Sequence, residues 1–494
     1  MAKNFASLSS YALDLVEHSM EMMDGYWDAS AALLGMKSYE RLSDLPMVHH
    51  VRESSWYALG LLQRGSAEDK QRACEALQAI LQYQFDEPGK PYDGTWYRFP
   101  EEPHPGTRGI WRGYDPNWRE FIGTTLAIIL LDFEPDLPQT LVKDIDEALH
   151  KAVRGMLARD LSASYTNIAL MHAFLLLFAG ERFGVASWQS AGEQFAREVY
   201  RLFAFNNAFS EFNSPTYYGV DLCALGLWRT YASSPLLRQL GAEMEAGLWQ
   251  DIALMYHAGM KNMAGPYDRS YGMDMQQYAT TIGMWIWMAV GREAAPFPDI
   301  TQPFEHSHDF CYAPYYVAVD VSMPADVLPH LQAFQGERQV ERVIANEPRR
   351  VATAWVGERL LLGGEYTSLS KPASDQIHPA TIHWSDTDNR IGWVNLAYTI
   401  PVNARAEKDS VSISCLNPGA ETPDFVFQVH TPDKSAASLQ PDRWQLAGLS
   451  VHVETNAEYA GIKDAGEYYE VSYSARKLAS GTTVLFTLTT RLER

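Results

Sequence analysis

A chain of 494 residues is too long for a single hydrophobic core, and ordinary domain sizes divide it into two or three units. Its formal net charge of -21 sets a repulsive field against polyphosphates and anionic lipid surfaces, which argues against nucleic acid and membrane as partners. With 46% hydrophobic residues the composition is that of a globular protein, and its longest uncharged apolar stretches, 168–180 and 279–291, are too short to span a bilayer.

The opening segment, MAKNFASLSSYALDLVEH, has no basic stretch followed by an apolar run and a small-residue cleavage site, so the expectation is a cytoplasmic protein. Cys74, Cys223, Cys311 and Cys415 lie far apart without metal-ligand spacing and read as reduced, buried thiols. To about residue 300, helical segments alternate with aromatic, Gly- and Pro-rich connections such as PYDGTWYRFPEEPHPGTRGIWRGYDPNW. The stretches 121–131, 167–179, 221–231 and 279–290 are apolar around much of their circumference, which suits the inner ring of a multi-helix assembly. After AAPFPDITQPFEHSHD the texture changes to short period-two runs, VATAWV, RLLLGG, EYYEVSYS and TTVLFTLTT, with no helices between them. Many short strands in succession predict an antiparallel sandwich. The expected architecture is a helical toroid over 1–304 followed by a β-sandwich over 305–494.

Four polar, aromatic loops each run into one of the buried helices. The first carries Asp115, Asn117 and Trp118; either of the first two can cap the helix, while the Trp also suits a wall for a sugar ring. The second, Ser164-Tyr165-Thr166-Asn167, offers an ordinary N-cap or an amide donor to a substrate carboxylate. The third, 210–221, holds Glu211, Asn213, Tyr217 and Tyr218; a plain turn needs neither two adjacent tyrosines nor an acid. In the fourth, 265–274, Arg269 can grip a carboxylate or merely brace Asp268 or Asp274, and Tyr267 and Tyr271 flank it. One shared cleft explains four such loops better than coincidence. Further along, His378 and His383 sit five residues apart on a strand pattern, which turns them to opposite faces and speaks against a metal; either can lean over the cleft as a base. His306 and His308, at the junction, carry the same ambiguity.

These residues resemble the toroid-plus-sandwich polysaccharide lyases of the chondroitin AC/hyaluronate lyase and heparinase II/III types. The run 117–123, Asn-Trp-Arg-Glu-Phe-Ile-Gly, is similar to their Asn-Trp-…-Glu-Ile-Gly stretch, and 164–167 to the loop supplying the Asn that neutralises a carboxylate. Glu211-Phe212-Asn213-Ser214-Pro215-Thr216-Tyr217-Tyr218 is similar to the Ser-Pro-x-Tyr-His segment, which places Tyr217 at the catalytic tyrosine. Where the family has a histidine beside that tyrosine, this chain has Asn213 and Tyr218, so the general base is either Tyr217 itself or a histidine from elsewhere, with His378 and His383 as candidates.

The resemblance implies β-elimination from a uronate-containing saccharide, with Asn167 and Arg269 on the C6 carboxylate, a tyrosine or histidine taking the C5 proton, and Tyr217 protonating the leaving oxygen. It implies no metal or organic cofactor. The expected partner is an acidic oligosaccharide or polysaccharide, an imported oligosaccharide fitting a cytoplasmic enzyme best, and the reading leaves room for a homo-oligomer. Two other classes compete. A glycoside hydrolase on the same toroid would use Glu211 and Asp268, with Asp115 and Asp274 behind them. A non-catalytic saccharide-binding protein would use the same aromatics and polar groups as ligands only.

Overall fold

The computed structural model describes residues 4–38, 45–367, 375–417, 419 and 422–493. After α1 (Ser10–Tyr26) the helices come in sequential pairs: α2 (Val51–Arg64) with α3 (Ala67–Gln82), α4 (Trp118–Phe133) with α5 (Gln139–Leu157), α6 (Thr166–Arg182) with α7 (Ala186–Ala204), and α8 (Tyr218–Tyr231) with α9 (Pro235–Met255). The partners in each pair differ in pattern. In α6 every residue from Thr166 to Gly180 is buried, whereas α5 buries one stripe, Leu141, Ile145, Ala148, Leu149, Ala152 and Met156, at three- and four-residue spacing. The first kind of helix has to lie inside and the second outside.

The contacts follow that division. α2, α4, α6, α8 and α10 (Thr281–Val290) pack each on the next, and α1 with α11 (Ala313–Val319) closes the ring between α10 and α2. This is the expected toroid; α4, α6 and α8 contain three of the four apolar stretches read from the sequence, and α10 holds the fourth from Thr281 onward. Helical elements continue past residue 305: a 3-10 turn at Ser307–Tyr312 precedes α11, and α12 (Leu328–Gln332) follows it before the first long strand, Arg338–Asn346. We therefore place the division between the units in the connection 333–337. Among the described residues no helix is long and apolar enough to cross a membrane. All four cysteines are free thiols, three of them buried.

The C-terminal unit is a sandwich of antiparallel sheets. One has eight strands in the order Glu458–Asp464, Tyr469–Ser474, Phe425–His430, Ile391–Leu396, Ala380–Ser385, Leu360–Thr367, Arg349–Val356, Arg338–Asn346; the facing sheet has six. Alternate side chains of the larger sheet serve two cores. Leu362, Ile382, Val394 and Phe427 meet Ala404, Ile413, Phe486 and Leu488 of the smaller sheet, while Ala352, Ala354, Leu361 and Trp393 join the helical core. Strands Ala380–Ser385 and Ile391–Leu396 are consequently buried at every position. A sheet sealed against the toroid in this way is a rigid floor for the loops beside it.

Candidate active site

All five inner helices begin at the same end of the ring. Arg52, Trp118, Asn167, Tyr217 and Thr281, each at the cap or in the first turn of α2, α4, α6, α8 or α10, line one cleft of about 730 Å³. Helix N-termini present unpaired N–H groups and partial positive charge, so their convergence favours an anionic ligand in spite of the chain's overall charge.

Helix capping does not account for the polar residues there. Asn117 stands at the start of α4 without a side-chain cap bond. Its Nδ2 donates to Tyr165 Oη at 3.0 Å and its Oδ1 accepts from Arg159 Nη1 at 2.9 Å, while Asp115 Oδ1 accepts the Asn117 N–H at 2.8 Å. Asn167 is the second residue of α6, and its Nδ2 donates to Glu211 Oε2 at 2.8 Å.

The third and fourth loops are fastened to each other. Phe212 and Asp268 exchange backbone-centred hydrogen bonds, with Asp268 N donating to Phe212 O at 3.1 Å and Phe212 N donating to Asp268 Oδ2 at 3.2 Å. Asn213, held at φ 54°, donates Nδ2 to Ala264 O at 2.7 Å and Pro266 O at 2.8 Å. The Ser214 hydroxyl accepts the Tyr217 N–H at 2.9 Å and donates to Arg269 O, so one side chain sets both residues.

Arg269 is the hub that results. Its Nη1 donates to Glu211 Oε1 at 2.6 Å, Nη2 to Tyr217 Oη at 2.6 Å and Nε to Gln376 Oε1 at 3.1 Å, and its guanidinium lies 3.7 Å from the centroid of the Tyr217 ring. Glu211 thus accepts from Arg269 on one oxygen and from Asn167 on the other. Tyr217 Oη is 2.6 Å from Tyr271 Oη, and the Tyr271 ring stacks on His306 at 4.5 Å. Burial, and then the neighbouring Tyr271, hold the Tyr217 hydroxyl well above its ordinary pKa, with Arg269 pulling the other way. For Arg269, burial opposes the charge, but Tyr217 and Glu211 outweigh it and raise the guanidinium above its usual value.

The cleft therefore gathers Asp115, Asn117, Trp118, Asn167, Glu211, Tyr217, Arg269 and Tyr271 from the residues singled out in the sequence. Six others lie elsewhere. Tyr218 points from α8 into the helical core, fully buried, because adjacent residues on a helix face different ways. Asn213 spends its amide on the loop carbonyls. Tyr267 is buried with its hydroxyl on Met263 O, and Asp268 forms a buried ion pair with Arg350, which also pairs with Glu365 at 2.7 Å. His378 and His383 are buried beneath the fourth loop, donating Nε2 to Ser270 O at 3.2 Å and to Met273 O at 2.9 Å. Both hold the loop from below, and neither lines the cleft. Asp274, the remaining hydrolase candidate, lines a different pocket, between Gln276 and Arg390.

Sequence reasoning passed over several residues that do line the cleft: Arg52, Trp111, Gln376, Asp309 and Tyr312. Arg52 is caged, its guanidinium 4.4 Å from the Trp118 ring and paired with Glu53 at 2.6 Å. Trp111 lies in the aromatic connection that the sequence marks as a place for chemistry. Gln376 arrives from the sandwich, more than a hundred residues from Arg269, and no local signal announces it. His306 and His308, left ambiguous by the sequence, stand at the cleft with Asp309, and the donor atoms of the three lie within 4.8 Å of one another.

Comparison with known proteins gives two family models, each described as a domain of unknown function: DUF8769 over residues 13–321 and DUF8770 over residues 336–483. No curated protein matches the sequence. Among solved structures the chain is similar to the Streptomyces coelicolor A3 chondroitin AC lyase in complex with chondroitin sulphate, at 10% identity and TM-score 0.46, covering 99% of this chain and 80% of that one. It is also similar to a heparinase III, at 8% identity and TM-score 0.38 over 97% and 84% of the two chains. A mutant of heparan sulfate lyase HepC from Pedobacter heparinus matches at 10% identity and TM-score 0.33 over 96% and 83%.

Proposed function

The chain belongs to the family described as domain of unknown function DUF8769, and we propose that it is a lyase that cleaves uronic-acid-containing oligosaccharides by β-elimination. The observation that carries this reading is the Arg269 hub, which joins a tyrosine hydroxyl to a carboxylate-binding pair of donors at the convergence of five helix N-termini. Elimination next to a carboxylate needs the same parts: a cation and an amide to take up enolate charge, and a proton-transfer group within reach of both the C5 hydrogen and the leaving oxygen.

In this scheme the uronate carboxylate takes the place of Glu211 against Arg269 and Asn167, and the positive helix ends add to their field. Tyr217, as tyrosinate paired with Arg269, removes the C5 proton. The C4–C5 double bond forms as the C4–O bond breaks, and the same hydroxyl returns its proton to the leaving oxygen, regenerating the tyrosinate. One group then acts as base and acid, which suits a cleft whose neighbouring tyrosine, Tyr271, connects Tyr217 towards solvent. Trp111, exposed at the cleft, supplies an apolar wall for a sugar ring, while the buried Trp118 carries the Arg52 guanidinium on its face. A hydrolytic pair of carboxylates is less well supplied. Both Glu211 oxygens accept hydrogen bonds, Asp115 in the same cleft accepts the Asn117 N–H and braces the loop, and Asp268 is tied to Arg350 outside the cleft.

The test is incubation with a panel of uronate oligosaccharides, following the ultraviolet absorbance of the new double bond together with reducing ends. Both should rise together, and Tyr217→Phe should lower the rate by about 10³-fold. Reducing ends without absorbance would make the protein a hydrolase; saccharide binding without turnover would make it a binding protein.

A further inference from the structure

We infer that His306, His308 and Asp309 form a divalent-cation site in the cleft, of the kind that takes Zn2+. The three come from four consecutive residues that a tight turn brings together. His306 sits at φ 56°, a left-handed conformation that costs energy for a side-chain-bearing residue and is found where a site requires it. Asp309 N donates to His306 O at 2.9 Å, which closes the turn and starts the 3-10 segment Ser307–Tyr312. The two imidazole rings are then 5.5 Å apart, His308 Nε2 is 3.5 Å from Asp309 Oδ1, and the three donor atoms lie within 4.8 Å of one another.

A second, independent feature is His306 Nδ1, which is buried without a hydrogen-bond partner. A buried ring nitrogen with no partner is costly unless something occupies it. Donors around a tetrahedral zinc at roughly 2.1 Å are about 3.4 Å apart, so small side-chain rotations draw this set onto an ion. Two imidazoles and one carboxylate select a borderline first-row cation over calcium or magnesium, which prefer all-oxygen shells.

The surroundings accommodate the added charge. Arg52, which shares the cleft with Asp309, is already paired with Glu53 and held against aromatic faces. Tyr271 stacks on the His306 ring and fixes its plane. Three protein ligands leave coordination positions open, and since all three residues line the cleft those positions face incoming ligand. The ligand is a carboxylate oxygen of the saccharide; this last step rests on the lyase reading, whereas the site itself does not. The inference departs from the sequence reading, which expects no metal.

The experiment is to strip the whole chain with a chelator and titrate it with ZnCl2 by calorimetry, then substitute Co2+ and record the visible spectrum. One equivalent of zinc should bind per chain, with ligand-field bands for cobalt that zinc displaces. His306→Ala and Asp309→Asn should each weaken binding at least 100-fold, while Tyr217→Phe should leave it intact. Absence of saturable zinc binding and of cobalt bands in the unaltered protein overturns the inference even where a variant fails to fold. Binding that survives both substitutions overturns it as well. Stoichiometric zinc in a protein without eliminase activity would sink the lyase reading and leave the site standing.

Discussion

Arg269 makes three hydrogen bonds and a cation–π contact at once, so its replacement separates charge from shape. In the proposed scheme the active species is the tyrosinate of Tyr217, whose deprotonation burial opposes and Arg269 favours. Activity should therefore rise with pH through and beyond neutrality. Arg269→Lys keeps the charge but loses the planar fork that reaches Glu211 and Tyr217 together, and should cost about 10²-fold at neutral pH. Arg269→Ala removes the cation, so its pH–rate profile should move to higher pH in addition to falling. A profile of unchanged shape in Arg269→Ala would mean that Tyr217 is not the titrating base. At this scale the sequence pointed to the right loops for Tyr217, Asn167 and Arg269: the first two stand at the starts of α8 and α6, and Arg269 lies in the polar, aromatic connection that precedes α10. It was uninformative about Tyr218 and the two sandwich histidines. Orientation on a helix decides the first, and contacts more than a hundred residues away in sequence decide the others.

At the level of elements, the site depends on how closely the fourth loop lies on the eight-stranded sheet. A Cβ built on Gly363 would stand 2.2 Å from the backbone carbon of Gly265, and one built on Gly265 would stand 2.3 Å from Thr381 Oγ1. The first of these clashes is with backbone, which cannot give way as a side chain can. Gly363→Ala should thus cost about 1–3 kcal/mol of stability and, by lifting residues 265–271, misplace Arg269 and reduce activity more than stability. Gly25→Ala, in α1 with nothing within 4 Å of the added carbon, is the matching control and should leave activity unchanged while raising stability by up to about 1 kcal/mol. Equal losses of activity and of folded fraction in Gly363→Ala would show that the sheet merely stabilises the chain. Elements as such were readable, since an all-round apolar helix and a period-two strand each leave a local signature. The approach of Gly363 to Gly265 leaves none: a glycine in a strand pattern signals only that something comes near.

For the whole molecule, the shared sheet makes the two units one structure, and His383 shows how tightly. It is fully buried between them, its Nε2 donating to Met273 O, with Nδ1 lacking a partner. Protonation would add a buried N–H with nothing to receive it, and burial accordingly lowers its pKa from 6.5 to about 4. Within that window the unfolded chain binds a proton that the folded chain refuses. Stability is then complete above about pH 6.5 and declines as the pH falls towards 4, by an amount on the order of 3 kcal/mol for this one group. His378, also buried and shifted downward, adds a term of the same sign. Urea midpoints recorded from pH 7 to pH 4.5 should fall for the unaltered protein. In His383→Gln, which keeps a neutral donor for Met273 O at every pH, the fall should be shallower, since the carboxylates and His378 still contribute. Because both histidines join the sandwich to the loop that carries Arg269, the same acid range should release that loop, so activity should disappear at a higher pH than helical content. Parallel slopes in the two proteins would mean that His383 titrates normally and that the interface is open to water.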